Sequence, residues 1–111
     1  MEKLKKYQQI LTAFFTERAA IQDAQRNGLK AHLVINNHST DFVLLKMGWK
    51  DKLFVHTVTF HIEIKEGKAW IYENKTDIDL AKILVEMGIA KEDIELGYLP
   101  PILRQYAEYG Q

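Results

Sequence analysis

Between residues 30 and 73, apolar and polar side chains alternate along four successive runs, and this period leaves few architectures open to the chain. The runs are KAHLVIN, DFVLLKMG, KLFVHTVTFHIEIK and GKAWIYE, separated by short polar or glycine-containing stretches. Successive side chains of a β-strand point to opposite faces, so a period of two is typical of strands that bury one face. Because the intervening stretches are short, we predict a four-stranded antiparallel meander.

The segments on either side of this region have a helical period. Apolar residues at Leu4, Tyr7, Leu11 and Phe14 predict an amphipathic helix over about residues 2–20, ended by Asn27-Gly28. Such a stripe buries one side of a helix against a sheet.

Residues after 76 return to the same helical period. Thr76 and Asp79 resemble a capping box, and Gly88 is placed to end the helix. Pro100-Pro101 then favours a final helical turn. The sequence therefore predicts an α+β fold: a four-stranded antiparallel meander with an N-terminal helix and C-terminal helices packed on one face.

Composition limits the class of protein. A chain of 111 residues is long enough for one core, so we expect a single domain over residues 1–111. Lys and Arg number 15 and Asp and Glu number 15, whereas proteins that bind nucleic acid on their own usually carry a basic excess. With no cysteine, no signal-peptide pattern and no apolar run long enough to span a membrane, we expect a cytoplasmic protein.

The turn at Glu66-Gly67 predicts which side chains share a face, because a two-residue hairpin loop pairs Lys65 with Lys68. One face, the predicted core, holds Phe54, His56, Val58, Phe60, Ile62, Ile64, Ala69 and Ile71. The second face holds Leu53, Val55, Thr57, Thr59, His61, Glu63, Trp70 and Tyr72. A turn at Lys50-Asp51 adds Phe42 and Leu44 to the second face, and Val43, Leu45 and Met47 to the core.

The second face is neither fully apolar nor well solvated, which is typical of a surface that becomes covered. We therefore predict a protein interface made of Phe42, Leu44, Thr57, Thr59, His61, Trp70 and Tyr72. The cover is either a second protein molecule, such as another copy of the chain, or the chain's own C-terminal segment.

The candidate chemistry is sparse. His56 and His61 are five residues apart, so on a regular strand they point to opposite faces and cannot bind one metal ion together. His56 is predicted to be a buried histidine with a hydrogen-bond partner. Phosphate-binding, nucleophile-elbow and zinc-protease motifs are absent from the sequence. We expect no enzymatic activity, no cofactor and no metal; a small enzyme using His56 and His61 is the least favoured hypothesis.

An ordered set of segments resembles the XisI family, the fdxN element excision controlling factors of filamentous cyanobacteria. The segments are GW at 48–49, VH at 55–56, HIEIKEGKAWI at 61–71, DIDLAKILVEMGIAKEDIELG at 77–97 and PPILRQY at 100–106. The chain departs from the family pattern at NNHSTDF, where an acidic turn and a tyrosine are usual, and at Ala90, where proline is usual.

The resemblance implies an accessory role in excising a DNA element during heterocyst differentiation, together with the recombinase XisF and the nuclease-like XisH. Two hypotheses follow. In the first, a non-enzymatic factor binds a second copy of itself, a XisH-like protein or a XisF-type recombinase. In the second, an excision factor contacts DNA through Lys3, Lys5, Lys6 and Arg104.

Overall fold

A computed structural model describes residues 2–25 and 27–110. Helix α1 spans Glu2–Ala24, and four strands follow: β1 (Leu29–Ile35), β2 (Asp41–Lys50), β3 (Leu53–Lys65) and β4 (Lys68–Asn74). Helix α2 (Leu80–Met87) and a 3₁₀ turn (Lys91–Asp93) lead to strand β5 (Ile94–Leu96), and a short helix α3 covers Pro101–Arg104. The strands form one sheet in the order β1-β2-β3-β4-β5.

Helix α1 packs along one face of the sheet and provides a large part of the core. Tyr7, Leu11, Phe14 and Phe15 are buried at the spacing that the helical period predicts, so the N-terminal helix is confirmed. The Phe14 and Phe60 rings meet edge to face with centroids 5.4 Å apart. Burying a side chain of this size stabilises a fold by about 1.5–3 kcal/mol, so this row of contacts holds α1 on the sheet.

The sheet has one more strand than the sequence predicts, and it is mixed. Residues 94–96 form β5, which pairs in parallel with Ala69–Ile71 of β4. The prediction of four antiparallel strands was therefore wrong at this edge. A parallel partner needs a crossover connection, and α2 supplies it between β4 and β5. Ile94, fully buried, places β5 in the core.

A β-bulge at Thr59 decides which side chains face α1. Leu44 pairs with Phe60 and Leu45 pairs with Val58, so Thr59 is an extra residue on β3. One extra residue moves every later side chain of a strand to the other face. The predicted faces are therefore right for Phe60–Ile64 and wrong for residues 53–59.

The two hairpin turns differ in how well the sequence predicted them. Glu66 and Gly67 form the turn between β3 and β4, both with positive φ, and Lys65 pairs with Lys68 as expected. The turn between β2 and β3 lies at Asp51-Lys52, one residue later than predicted, since Lys50 pairs with Leu53.

Helix α2 begins differently from the predicted capping box. Asp79 is itself the N-cap, and its side chain accepts a hydrogen bond from the backbone N–H of Lys82. Thr76 instead belongs to the preceding turn, where its N–H and hydroxyl both donate to Oδ1 of Asn74. The helix ends at Gly88 as predicted: its N–H donates to the carbonyls of Leu84 and Val85.

Helix α3 confirms the final helical turn, but its position corrects the prediction that all helices share one face. The guanidinium of Arg104 lies 5.1 Å from the ring centroid of Trp70. Trp70 alternates with the buried Ala69 and Ile71, so its side chain lies on the sheet face opposite α1. The C-terminal segment therefore packs on the side away from α1.

Candidate functional site

The sheet face turned away from α1, here called the open face, carries apolar side chains on β1, β2 and β3, with basic side chains and histidines among them. Strand pairing aligns Val34 with Val43, Leu45 with Val58, and Trp49 with Phe54. Its other members are Lys30, His32, Met47 and His56. The buried Phe42, Leu44 and Phe60 define the opposite side, so strand alternation places this set on the open face.

Large side chains are most exposed where β2 and β3 turn into each other. The rings of Trp49 and Phe54 lie 5.1 Å apart, yet 62% of Trp49 and 48% of Phe54 remain exposed. Val34 is 52% exposed at the other end of the same surface. Contiguous apolar patches with polar rims are typical of interaction sites, whereas single exposed apolar residues are ordinary.

His56 and His61 both lie on the open face, contrary to the sequence prediction. The bulge at Thr59 lies between them and removes the effect of their odd spacing. His56 is exposed and stacks on Phe54, with ring centroids 6.3 Å apart, so it is not the buried histidine that was expected.

A hydrogen-bonded cluster closes the far end of the open face. Nε2 of His61 is 2.8 Å from Oδ1 of Asp41, and the Tyr72 hydroxyl donates to Oε1 of Glu63 at 2.7 Å. The His61 and Tyr72 rings are 5.1 Å apart and connect the two pairs. Burial, together with the hydrogen bond to Glu63, raises the pKa of Tyr72 to about 12. The phenol therefore stays protonated at neutral pH and acts as a hydrogen-bond donor.

Trp70 is covered by the chain itself. Two cations lie near its ring, with Lys65 Nζ 4.6 Å and the Arg104 guanidinium 5.1 Å from the centroid. Its indole N–H donates to the carbonyl of Lys65 at 3.2 Å. The C-terminal segment therefore covers the β4 side of this face, while the β1–β3 side carries the exposed residues described above.

The predicted interface residues divide between the two faces. His61, Trp70 and Tyr72 lie on the open face. Phe42 and Leu44 lie in the core beneath α1, with exposures of 0% and 1%, so their assignment to a surface was wrong. Thr57 and Thr59 also fall on the α1 side, where they line a depression with Arg18, Ile21 and Gln22.

Sequence reasoning missed the exposed residues Val34, Trp49 and Phe54, and it assigned Met47 to the core. The paired aromatics beside the Asp51-Lys52 turn were a usable signal, since a hairpin end projects beyond its neighbours. The bulge decides that the face they share is the open one, and the alternation pattern does not reveal the bulge.

The candidate DNA contacts do not form one basic surface. Lys3 makes a 2.9 Å ion pair with Asp93, and Lys6 lies against Gly88 beside α2. Lys5 lines a shallow groove along the exposed side of α1. Arg104 lies on Trp70, on the other side of the sheet.

Comparison with known proteins is consistent with this geometry. The model of the family described as XisI protein matches residues 1–111. The chain belongs to the XisI family. A search of curated proteins finds no significant match.

Two solved structures from Anabaena variabilis ATCC 29413 resemble this XisI-family chain. A XisI-like protein is 33% identical, with a TM-score of 0.88 over 96% of this chain and 97% of the other. A protein described as fdxN element excision controlling factor XisI is 24% identical, with a TM-score of 0.81 over 96% of each chain. The second likeness carries the fold alone.

A cleft of about 400 Å³ lies beside β4 and α2 in this XisI-family fold. Tyr72, Tyr98 and Tyr109 line it together with Glu73 and Asp79. Burial first, and then the charges of Asp79 and Glu108, raise the pKa of Tyr109. Within residues 2–25 and 27–110, no three His, Asp or Glu side chains are grouped so that they could bind a metal ion, and no helix is long and apolar enough to cross a membrane.

Proposed function

We propose that this XisI-family chain is a non-catalytic accessory factor that controls excision of a DNA element through protein contacts. Its partners in this proposal are a second copy of the chain and a XisH-like, nuclease-related protein, with a XisF-type recombinase as a further partner on DNA. The XisI family model over the whole chain supports the excision role. One structural relative, described as an excision controlling factor, supports it too.

The observation that carries the proposal is the exposed apolar surface of the open face. Trp49, Phe54 and Val34 are each about half exposed or more. Leaving such area in water is unfavourable by about 25 cal/mol per Å², so covering it favours association. Aromatic residues are also enriched at the centres of protein interfaces. A docking protein can use such a surface directly.

The polar groups at the end of the open face support a non-catalytic role. His61 and Asp41 engage each other, as do Tyr72 and Glu63. The raised pKa makes the phenol of Tyr72 a weaker acid than an ordinary tyrosine. The phenol therefore stays protonated and cannot act as a base near neutral pH. These groups therefore suit the positioning of side chains at an interface edge.

We propose that residues 1–111 act as one domain and that the protein is cytoplasmic; the buried core supports the single domain. One cluster joins side chains of α1, the central strands and α2, including Leu11, Phe60 and Leu84. A single core of this kind opens cooperatively in most small domains.

Direct DNA binding is the alternative. The balanced charge and the separation of Lys3 from Arg104 across the sheet weigh against it. Lys5 keeps the alternative open, because it is exposed on α1.

A paired experiment with purified proteins distinguishes protein binding from direct DNA binding. The tagged chain is mixed first with a XisH-like protein from the same genome, and then separately with DNA carrying the element ends. We expect capture of the XisH-like protein and no mobility shift of the DNA by the chain alone. Trp49→Glu should reduce capture at least tenfold, whereas Lys82→Glu, an exposed change on α2, should leave it unchanged.

Two results contradict the proposal. The first is failure of the folded chain to capture the XisH-like protein. The second is a salt-sensitive DNA shift by the chain alone that is lost in Lys5→Glu, which supports the DNA-contacting alternative instead.

A further inference from the structure

A depression on the α1 side of the sheet, here called the basic depression, lies between the C-terminal half of α1 and strands β2 and β3. Its volume is about 310 Å³, at the lower end of the range of roughly 300–1,000 Å³ for small-molecule pockets. Three of the side chains that line it are cationic: Arg18, Lys46 and Lys75. None of the described residues that line it is Asp or Glu. A concavity lined by charges of one sign attracts ions of the opposite sign, here anions.

Two of the cations are held in place by the walls of the basic depression. The guanidinium of Arg18 lies over the Phe60 ring, 5.8 Å from its centroid. Lys46 pairs with Thr57 across β2 and β3, so these two side chains are direct neighbours on one sheet face. The cations therefore come from two different elements, α1 and β2, and meet at one concavity.

The β-bulge at Thr59 shapes the strand wall of the basic depression. On a regular strand Thr59 and Phe60 would point to opposite faces, but the extra residue lets both line the depression together with Thr57. The backbone N–H of Lys75 donates to the carbonyl of Thr59 at 3.0 Å, which brings Lys75 to the same place. In the described part of the chain, neither threonine hydroxyl is hydrogen-bonded to another residue. Both hydroxyls can therefore donate to a ligand.

The positive charges of the basic depression are poorly neutralised by the chain itself. Arg18 and Lys46 are partly buried, and neither forms an ion pair with a carboxylate of residues 2–25 and 27–110. Lys75 Nζ lies 4.0 Å from Oε1 of Glu73, and the two side chains are 52% and 41% exposed. An exposed pair at this distance contributes little. An anion in the depression would relieve the repulsion among the three cations.

Gln22 supplies a further polar group on the α1 wall of the basic depression. Its Nε2 is buried and has no hydrogen-bond acceptor among the described residues. A buried donor without an acceptor is unfavourable, so turning this amide towards a ligand breaks no hydrogen bond of that nitrogen. The depression therefore combines cations with neutral donors, which is the chemistry that binds oxyanions.

We propose that the basic depression binds a phosphoryl group with two negative charges, as carried by inorganic phosphate or by a small phosphomonoester. A phosphomonoester has its second pKa near about 6 and is close to doubly charged above pH 7. Three cations suit a dianion better than they suit a carboxylate or a phosphodiester, each with a single charge. Arg18 offers paired N–H donors to phosphate oxygens, whereas Lys46 and Lys75 act as point charges. Thr57 and Thr59 complete the set of donors.

The inference goes beyond the proposed function and does not rest on it. The basic depression lies on the α1 side of the sheet, whereas the exposed residues proposed for protein docking lie on the open face. Capture of a XisH-like protein can therefore fail while phosphate still binds, and the reverse. The inference also differs from the DNA-contacting alternative, because a DNA backbone presents phosphodiesters that carry one charge each.

NMR titration of the ¹⁵N-labelled chain tests both the ligand and the place where it binds. Inorganic phosphate, methyl phosphate and dimethyl phosphate are each added at about pH 7.5, where the first two are mainly dianions. Chloride keeps the ionic strength constant, because salt screens partly exposed charges. We expect inorganic phosphate and methyl phosphate to shift the amide signals of Thr57, Thr59 and Lys75 to saturation. Dimethyl phosphate should bind at least tenfold more weakly. The tighter of the two dianions is the preferred form of the ligand, and either order supports the inference.

Three variants separate binding from a structural role. Arg18→Gln and Lys46→Gln should each weaken phosphate binding about tenfold, since each removes one charge-assisted contact. In chloride, Lys46→Gln should melt at the wild-type temperature or above it by circular dichroism, because Lys46 has no carboxylate partner to lose. Lys82→Gln, an exposed change on α2, is the matched control and should bind phosphate like the wild type.

Several results overturn the inference. Wild-type signals that shift without saturation show only non-specific attraction of anions. Dimethyl phosphate that binds as tightly as methyl phosphate excludes a site for dianions. Folded Arg18→Gln and Lys46→Gln chains that both bind phosphate like the wild type exclude the basic depression as the site, as do saturable shifts confined to another part of the chain.

Discussion

Among single residues, Asp93 is the most informative, because it is a buried carboxylate that connects α1 to the start of β5. The Tyr7 hydroxyl donates to its Oδ2 at 2.6 Å, and Lys3 Nζ lies 2.9 Å from the same oxygen. The Tyr7 hydroxyl also accepts from the backbone N–H of Ala90 at 3.1 Å. Burial alone raises the pKa of Asp93, but the hydrogen bonds from Tyr7 and Lys3 outweigh it and hold the pKa below the ordinary value.

Asp93 should therefore make the stability of the protein depend on acid pH. A carboxylate with a lowered pKa in the folded state contributes stability above its unfolded pKa of about 4, and that contribution is lost as the pH falls through its folded pKa. Asp93→Asn should lower the free energy of unfolding at pH 7 by about 1–3 kcal/mol and flatten its fall below pH 4. Urea unfolding at pH 7 and at pH 3 measures both effects.

The matched control for this prediction is Asp77→Asn, because Asp77 is exposed in the turn before α2. The free energy of unfolding of Asp77→Asn should equal that of the wild type at both pH values. Equal stability of Asp93→Asn and the wild type at pH 7 would show that the buried hydrogen bonds make no net contribution to the free energy of unfolding.

At the level of elements, the approach of β1 to β2 depends on two glycines. Gly48 has φ of +149°, and a Cβ there would lie 2.3 Å from the carbonyl oxygen of Gly28. A Cβ on Gly28 would lie 2.8 Å from the carbonyl oxygen of Trp49. Backbone atoms cannot yield as a flexible side chain does, so these glycines set how closely the hairpin approaches the first strand.

Gly48→Ala should destabilise the protein by more than the cost of an unfavourable φ alone. We expect a loss of about 2–4 kcal/mol in the free energy of unfolding, because β1 has to move away from β2. Gly67→Ala is the control: Gly67 also has positive φ, but its nearest neighbour is the end of Lys3 at 3.7 Å. It should lose only about 1–2 kcal/mol. Thermal unfolding followed by circular dichroism compares the two, and equal losses contradict the close approach.

Over the whole molecule, the two faces of the sheet are covered to different extents. α1 covers one face from Tyr7 to Phe15, whereas the C-terminal segment reaches across the other only as far as Trp70. The rest of the open face, on β1, β2 and β3, is left uncovered and carries the exposed apolar side chains of a chain with zero formal net charge. This uneven cover supports the proposed association with another protein.

Trp70→Ala should release the C-terminal segment from the sheet without unfolding the core. The indole provides the surface on which the Arg104 guanidinium rests, and an arginine in this position is worth about 0.5–2 kcal/mol. Limited trypsin digestion should cut after Arg104 several-fold faster in the variant than in the wild type, as followed by mass spectrometry. Cutting within β3 should stay slow in both.

Trp49→Ala provides the comparison, because Trp49 is exposed and its ring contacts Phe54 instead of the C-terminal segment. Its digestion after Arg104 should match the wild type. The same rate in Trp70→Ala and the wild type would mean that other contacts hold the segment in place.

The sequence by itself determined the elements whose signals are local. The helical stripe of α1, the turn at Glu66-Gly67 and the stop at Gly88 each depend on neighbouring residues, and the structure confirms all three. The family could also be recognised from the sequence, since its segments occur in order along the chain, and the family model confirms it.

Only the tertiary structure decided which residues are at the surface. The extra residue Thr59 is hidden in a regular alternation, and it moves Phe54 and His56 to the open face while Phe42 and Leu44 go to the core. The three-residue strand β5 exists because it pairs with distant β4, and α3 lies where Trp70 offers a surface. Each of these features depends on pairing or packing between segments far apart in the chain, so no local pattern could predict it.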